Sequence, residues 1–275
     1  MAYEVGPVYF DAPPVAEVAL SIQTSPNPRV LGSHMGVFWD RHLRLEYPHA
    51  QDQTPAAPTI ERFDESSRMP SMVFAMGTPV VRQWFLSADQ TRLVQLQNDR
   101  LVVNWRRLLD TQEYPHYSVL RKEIARLARL WQDFLGAEGL APQPVVQAEV
   151  TYINQVPLEA SFSGAGALLR AAVQPQWPPP MGEPESFQLE QRFVVQAPGD
   201  KLARMYLALA PAMFDNSTQG LTLNLVVRGE PADTSHAGVL RWMDFAHNQI
   251  IHSFADITTD QMHDKWKERN DRSDR

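Results

Sequence analysis

Two distant stretches of this chain have similar sequences, and this internal similarity limits the folds that the chain can adopt. The stretch "PVAEVALSIQ" at residues 14–23 returns as "QAEVTYINQV" at residues 147–156. Both copies contain Ala-Glu-Val within a run of alternating apolar and polar side chains, which is typical of a strand with one buried face. A similar strand near the start and at the midpoint of the chain predicts an internal duplication.

Two further correspondences follow the first in the same order. Residues 82–99 and 191–210 each read as a strand, a tight polar turn and a second strand. Residues 119–134 and 239–254 each begin with Val-Leu-Arg and read as an amphipathic helix. Three matches in a common order favour duplication over coincidence.

We therefore expect an α+β protein made of two tandem β-α-β(3-4)-α repeats, residues 1–140 and 141–275. Each repeat is expected to be a curved antiparallel sheet packed on a long helix, and the two repeats are expected to be related by pseudo-two-fold symmetry. The second repeat also carries a C-terminal helix and a charged tail.

The two long helices have clear apolar faces. Residues at three- and four-residue spacing predict the buried sides, namely Tyr117, Leu120, Ile124, Leu127, Trp131 and Phe134 in the first helix, and Leu240, Met243, Ile250 and Phe254 in the second. Asp233, Thr234 or Ser235 is expected to cap the second helix. From Thr258 we predict a short helix that docks Trp266, followed by a charged tail that stays mobile because it has no apolar surface.

Composition excludes several classes of protein. The chain has no cysteine, which excludes disulfides, thiolate metal sites and a cysteine nucleophile. Its net charge of −7 argues against nucleic acid as a partner, because phosphate binding favours a basic surface. No long apolar run or signal peptide is visible, so we expect a cytoplasmic protein that does not enter a membrane.

Catalytic and metal-binding motifs are also missing from the sequence. His247 and His252 are five residues apart, whereas a helical zinc pair needs four. We predict no metal site and expect His247 to be a core or interface histidine satisfied by a hydrogen bond. There is no phosphate-binding glycine loop and no serine nucleophile elbow, so we predict no cofactor. The sequence argues against an enzyme without excluding one.

The stretch "TRLVQLQNDRLVVNWRR", residues 91–107, is the strongest candidate for a functional surface. Asn98-Asp99 can form a two-residue hairpin turn, which would place Gln97 opposite Arg100. One face of the hairpin would then be apolar. The other would present the predicted binding residues Gln95, Gln97, Arg100, Asn104 and Arg106. Planar amide and guanidinium groups suit recognition of a backbone, a carboxylate or a base edge. A solvated sheet face is the alternative.

The same hairpin carries a resemblance. Together with "YPHYSVLRKEI" and the C-terminal "HNQIIHSFADITTDQMHDKW", it resembles a sporadically distributed prokaryotic family that has no assigned activity. The patchy occurrence of that family implies genes carried with mobile or conflict-related loci. By this resemblance, the characteristic positions of the family fall on Trp84, Gln95, Gln97, Asp99, Asn104, Trp105, Arg106, Tyr114, Pro115, Phe254 and Trp266.

Three functions remain open from the sequence. The first is a non-enzymatic binding or accessory protein whose partner is another protein, in a bacterial defence or toxin-neutralising system. The second is a small-molecule binder or enzyme with cavities between sheet and helices, lined by Trp242, Met243 and His247 in one half and by Trp131 in the other. The third and least favoured is nucleic-acid binding through Arg121, Lys122, Arg126 and Arg129.

Overall fold

The fold was examined in a computed structural model that describes residues 8–57, 59–63, 81–157, 169–170, 186–214 and 218–270. The strands are β1 (Val8–Phe10), β2 (Val15–Thr24), β3 (His49–Gln53), β4 (Arg82–Leu86), β5 (Arg92–Gln97), β6 (Arg100–Arg106), β7 (Val145–Pro157), β8 (Leu189–Ala197), β9 (Lys201–Met213), β10 (Gln219–Gly229) and β11 (Glu268–Asn270). The helices are α1 (Gly32–Phe38), which continues as a π-helical turn over Trp39–Leu43, α2 (Tyr117–Ala137), α3 (His236–Ile257) and α4 (Asp260–Lys265). The protein is thus of mixed α+β class.

One antiparallel sheet organises the chain. Its order is β3-β4-β5-β6-β2-β7-β10-β9-β8, so the two strands that echo each other in sequence, β2 and β7, pair with each other in the middle. Going outward, β2 is followed by β6, β5 and β4, and β7 is followed by β10, β9 and β8. Both halves of the chain therefore contribute to one continuous sheet.

Apolar and polar side chains alternate along the strands, and this alternation gives the sheet two different faces. In β2, Val18, Leu20 and Ile22 are buried on one side, whereas Glu17 and Ser21 lie on the other. The outer strands continue this pattern, with buried Leu221, Leu223, Leu225 and Val227 in β10 and buried Ala203, Met205, Leu207 and Leu209 in β9. The sheet therefore has an apolar face and a face of polar side chains, which we call the polar face.

The two long helices cover the apolar face. α2 contacts β6 and β2, α3 contacts β7 and β10, and the helices contact each other. The predicted seams are correct, because every predicted residue except the half-buried Tyr117 is buried. Ser235 caps α3 by accepting a hydrogen bond from the Gly238 amide. α1 packs in the same layer, where Phe38 contacts Trp131 and Phe134 edge to face.

The C-terminal segment folds back as predicted, with one correction. Thr259 caps α4, and Trp266 is buried against Phe10 and Phe254. The charged tail was expected to be mobile from Lys267 onward, but residues 268–270 form β11 and pair with β1. Backbone hydrogen bonds hold this stretch, so the absence of apolar side chains does not decide its conformation. Residues 271–275 lie outside the described residues.

The predicted hairpin register is confirmed. Gln97 faces Arg100, Gln95 faces Val102 and Leu93 faces Asn104.

No helix in the described part of the chain is long and apolar enough to cross a membrane.

Candidate functional site

A row of hydrogen bonds crosses the polar face between β4 and β2. The Trp84 indole donates to Gln95 Oε1 (3.0 Å), and the Gln95 amide donates to Asn104 Oδ1 (2.7 Å). The Asn104 amide then donates to Glu17 Oε1 (2.6 Å). These side chains satisfy one another across four neighbouring strands, which explains how polar groups come to lie at half-buried and buried positions.

Beside this row, an extended segment of the chain lies on the polar face. Residues 54–57 and 59–63, which we call the crossing segment, leave β3 and run over the neighbouring strands. Gln97 binds the backbone of Ala56 at both ends of its amide: Oε1 accepts from the Ala56 amide (2.9 Å) and Nε2 donates to the Ala56 carbonyl (3.0 Å). Arg100 donates to the Ala57 carbonyl (3.1 Å). Two of the five predicted binding residues, Gln97 and Arg100, therefore bind the backbone of the crossing segment.

Gln147 of β7 repeats this arrangement farther along the crossing segment. Its Oε1 accepts from the Glu61 amide (2.8 Å), and its Nε2 donates to the Thr59 carbonyl (2.6 Å). Between the segment and the sheet lies a polar cavity of about 110 Å³, lined in part by Ser21, Gln147 and Arg228. The segment is therefore held at a series of points and is not packed flat on the sheet.

The Glu61 side chain anchors the far end of the crossing segment. Its carboxylate accepts from Arg204 Nη1 (2.5 Å), the Tyr206 hydroxyl (2.6 Å) and Arg228 Nη1 (3.1 Å). The side chain is only 4% exposed. Burial and the hydrogen bond to Glu61 raise the pKa of Tyr206, which keeps its hydroxyl protonated as a donor. Glu61 thus occupies a site built for a carboxylate.

The sheet itself creates the need for this carboxylate. Arg204 and Arg228 stand directly opposite each other in β9 and β10. Like charges at opposite positions destabilise an antiparallel pair. Glu149, opposite Arg228 in β7, forms an ion pair with it, and Glu61 supplies the second negative charge.

The structure places the predicted site residues in three settings. Gln97 and Arg100 hold the crossing segment, whereas Gln95 and Asn104 belong to the adjacent hydrogen-bonded row. Arg106 lies apart and donates to the Gln90 carbonyl. The alternative of a solvated sheet face does not apply to Gln97 and Asn104, which are 3% and 4% exposed because the crossing segment and neighbouring side chains cover them.

Sequence reasoning missed the other half of the face. Gln147, Arg204, Tyr206 and Arg228 sit in strands whose alternation was visible, but nothing local marks them as partners of Glu61. Gln147 does stand within the echoed stretch, so its amide at an outward-facing position was the one available signal.

A second polar cluster lies on the helix side of the sheet. The hydroxyls of Tyr114 and Tyr152 are 2.9 Å apart, and the Tyr152 hydroxyl is 2.9 Å from His247 Nδ1. Tyr117 stacks on the His247 ring at 4.0 Å. Burial lowers the pKa of His247 to about 4, so the ring is neutral at pH 7. His247 is a hydrogen-bonded histidine at the junction of helices and sheet, as predicted.

This cluster borders a cavity of about 560 Å³ between α2, α3 and β1. His247 lines it, but Trp242 and Met243, which were expected there, are buried in the core. Trp131 lines a different cavity of about 480 Å³, as expected for the first half.

Two of the three arginines proposed for nucleic acid form ion pairs within the protein. Arg121 forms a bidentate ion pair with Asp244 of α3, and Arg126 pairs with Glu46 and Glu123. Their charges are therefore partly neutralised on the helix surface.

In the part of the chain that the structure describes, no group of three or more His, Asp or Glu side chains is placed to hold a metal ion. No known family model matches the chain, and no curated protein matches it. The polar face and the cavity beside His247 are the two candidate functional sites of the described residues.

Proposed function

We propose that the protein is a non-enzymatic binding protein that recognises an extended polypeptide on its polar face. The observation that carries this proposal is the pair of glutamine amides, Gln97 and Gln147, that each bind backbone N–H and C=O groups of an extended segment. Contacts of this kind recognise an extended backbone independently of its side chains, as in the binding of a peptide as an added strand.

The polar face also suits a protein partner in its chemistry. It offers amides, guanidinium groups and a phenol at fixed positions on a rigid sheet. Binding groups carried by regular elements are held more accurately than those on loops. A polypeptide supplies both the backbone groups and the carboxylate that these side chains accommodate.

We further propose that the architecture arose from two tandem repeats related by pseudo-two-fold symmetry. The alignment of Ala16–Val18 with Ala148–Val150 makes Ala19 equivalent to Thr151. These two residues are paired in the middle of the sheet, as expected if a two-fold axis passes between them. The same outward strand order on both sides supports the proposal. Superposition of the two halves tests it.

As to its biological setting, we propose an accessory or inhibitory subunit in a bacterial defence or toxin-neutralising system. The test is quantitative purification from the native host of the wild type, Gln147→Ala and the exposed helix-face control Val119→Ala. We expect one protein to be recovered in stoichiometric amount with the wild type and Val119→Ala, and to be lost with Gln147→Ala. Recovery of the lone wild-type protein under several conditions would count against this function.

A second candidate function is small-molecule binding in the 560 Å³ cavity. It is favoured by the hydrogen-bonded side chains of Tyr114, Tyr152 and His247. They place buried hydroxyl groups and a neutral imidazole beside a cavity large enough for a small organic ligand. Native mass spectrometry tests it. A mass adduct on the wild type that disappears in Tyr152→Phe would support this function, and an unliganded mass in both would oppose it.

A further inference from the structure

The crossing segment occupies an unusual position in the chain. Gln53 and Arg82 are paired neighbours in β3 and β4, and a short turn could have joined them. Instead, the chain leaves the edge of the sheet after Gln53, and residues 54–57 and 59–63 carry Glu61 to β9 and β10.

Polar contacts, not apolar burial, hold the crossing segment in place. Of its described residues only Ala56 and Glu61 are shielded from solvent, and Ile60 is 45% exposed. Each backbone hydrogen bond of the segment is replaced by one to water when the segment leaves, so the net loss per bond is small. The segment can therefore leave the face without exposing an apolar core.

The contacts of the crossing segment indicate which other polypeptide could occupy its position on the polar face. Ala56, Ala57, Thr59 and Arg62 are held through backbone atoms, which any extended peptide offers. Side-chain recognition falls on the Glu61 carboxylate in its Arg204–Tyr206–Arg228 site. The Arg204 guanidinium also lies 4.8 Å from the centroid of the Phe63 ring.

Resting on the proposed function, we propose that the polar face binds an extended internal segment of a partner protein with a glutamate followed two residues later by an aromatic residue. The crossing segment occupies the same site as an intramolecular stand-in until the partner displaces it. The two opposed arginines then exchange one carboxylate for another and are never left without a counter-charge.

The test uses the intact protein and a fluorescein-labelled peptide with the sequence of residues 54–63, amidated at its C-terminus so that Glu61 provides the only carboxylate of the peptide chain. Fluorescence anisotropy gives the Kd for the wild type, for Glu61→Ala and for Ile60→Ala. The last is the matched control, because Ile60 neighbours Glu61 but is exposed.

We expect Glu61→Ala to bind the peptide about tenfold or more tightly than the wild type, because a tethered competitor acts at a high effective concentration. Ile60→Ala should match the wild type. The same peptide with glutamine in place of Glu61 should bind Glu61→Ala about tenfold or more weakly, since it cannot neutralise the arginines.

Equal affinity of the wild type and Glu61→Ala, or of the two peptides, would overturn the proposal. Melting curves establish that the variant is folded. If Glu61→Ala does not fold, Glu61→Asp takes its place, since it keeps the charge but shortens its reach. Equal peptide affinity for Glu61→Asp and the wild type then also overturns the proposal. Failure here, with a partner still lost on Gln147→Ala, would leave the proposed function standing.

Discussion

Glu61 and Arg204 lie 143 positions apart in the chain, yet their carboxylate oxygen and guanidinium nitrogen are 2.5 Å apart on the polar face. This contact joins a connection from the first half of the chain to β9 of the second. This charged contact ties the crossing segment to the sheet.

Glu61→Gln should loosen the crossing segment without unfolding the sheet. Loss of the charged hydrogen bonds should cost about 1–3 kcal/mol. Hydrogen exchange at the amides of Ala56 and residue 61 should therefore become about tenfold faster, since about 1.4 kcal/mol corresponds to a factor of ten. Amides of β2 and β7 should keep their wild-type rates. Faster exchange throughout the sheet would contradict this, and Ile60→Ala is the control.

Asn104 and Arg106 should respond differently to replacement by alanine. Asn104→Ala leaves the Gln95 amide and the Glu17 carboxylate without their partner at a buried position, so the free energy of unfolding should fall by about 1–3 kcal/mol. Arg106→Ala loses one exposed hydrogen bond and should change the free energy by about 0.5 kcal/mol or less. Urea unfolding of both variants measures the difference, and similar losses would show that the hydrogen bonds of Asn104 stabilise the fold no more than the exposed one of Arg106.

Leu127→Ala and Phe254→Ala should each destabilise the core. Leu127 is fully buried in α2, and Phe254 is buried in α3. Truncation of such side chains costs about 2–5 kcal/mol. The control Val119→Ala is on the same helix as Leu127 but is 47% exposed, so it should cost far less. Thermal and urea unfolding provide the measurement. A loss below about 0.5 kcal/mol at Leu127 would show that the wrong helix face was assigned to the core.

Stability should fall in mild acid because of His247. Burial lowers its pKa in the folded protein from 6.5 to about 4, so between these values the unfolded chain binds a proton that the folded chain does not. The stabilisation is fully present above pH 6.5 and is lost as the pH falls through 4, to a total of about 3 kcal/mol.

His247→Gln tests the pH dependence, since it can keep a hydrogen bond to Tyr152 but does not titrate. Its free energy of unfolding should depend less steeply on pH between 6.5 and 4 than that of the wild type. Parallel curves would show that other groups cause the acid response.

The local structure of this protein could be predicted from its sequence. Alternation and a two-residue turn set the β5–β6 register, because neighbours in a hairpin are close in the chain and a shift of one residue would turn Val94 and Leu96 away from the core. The seam of α2 and the Ser235 cap follow from the helical repeat and from unpaired amides at a helix start. These features depend on interactions within a few residues.

The contacts between parts of the chain that are distant in sequence could not be predicted in this way and follow from the folded sheet. The echoed strands β2 and β7 could have lain in separate sheets, and nothing in either one dictates that they pair with each other. Likewise, residues 54–63 carry neither a strand nor a helix pattern, and their contacts with Gln97, Gln147 and Arg204 come from three different strands. Such contacts form because unpaired polar groups and opposed charges on a finished sheet need partners, and the sheet must first bring those groups together.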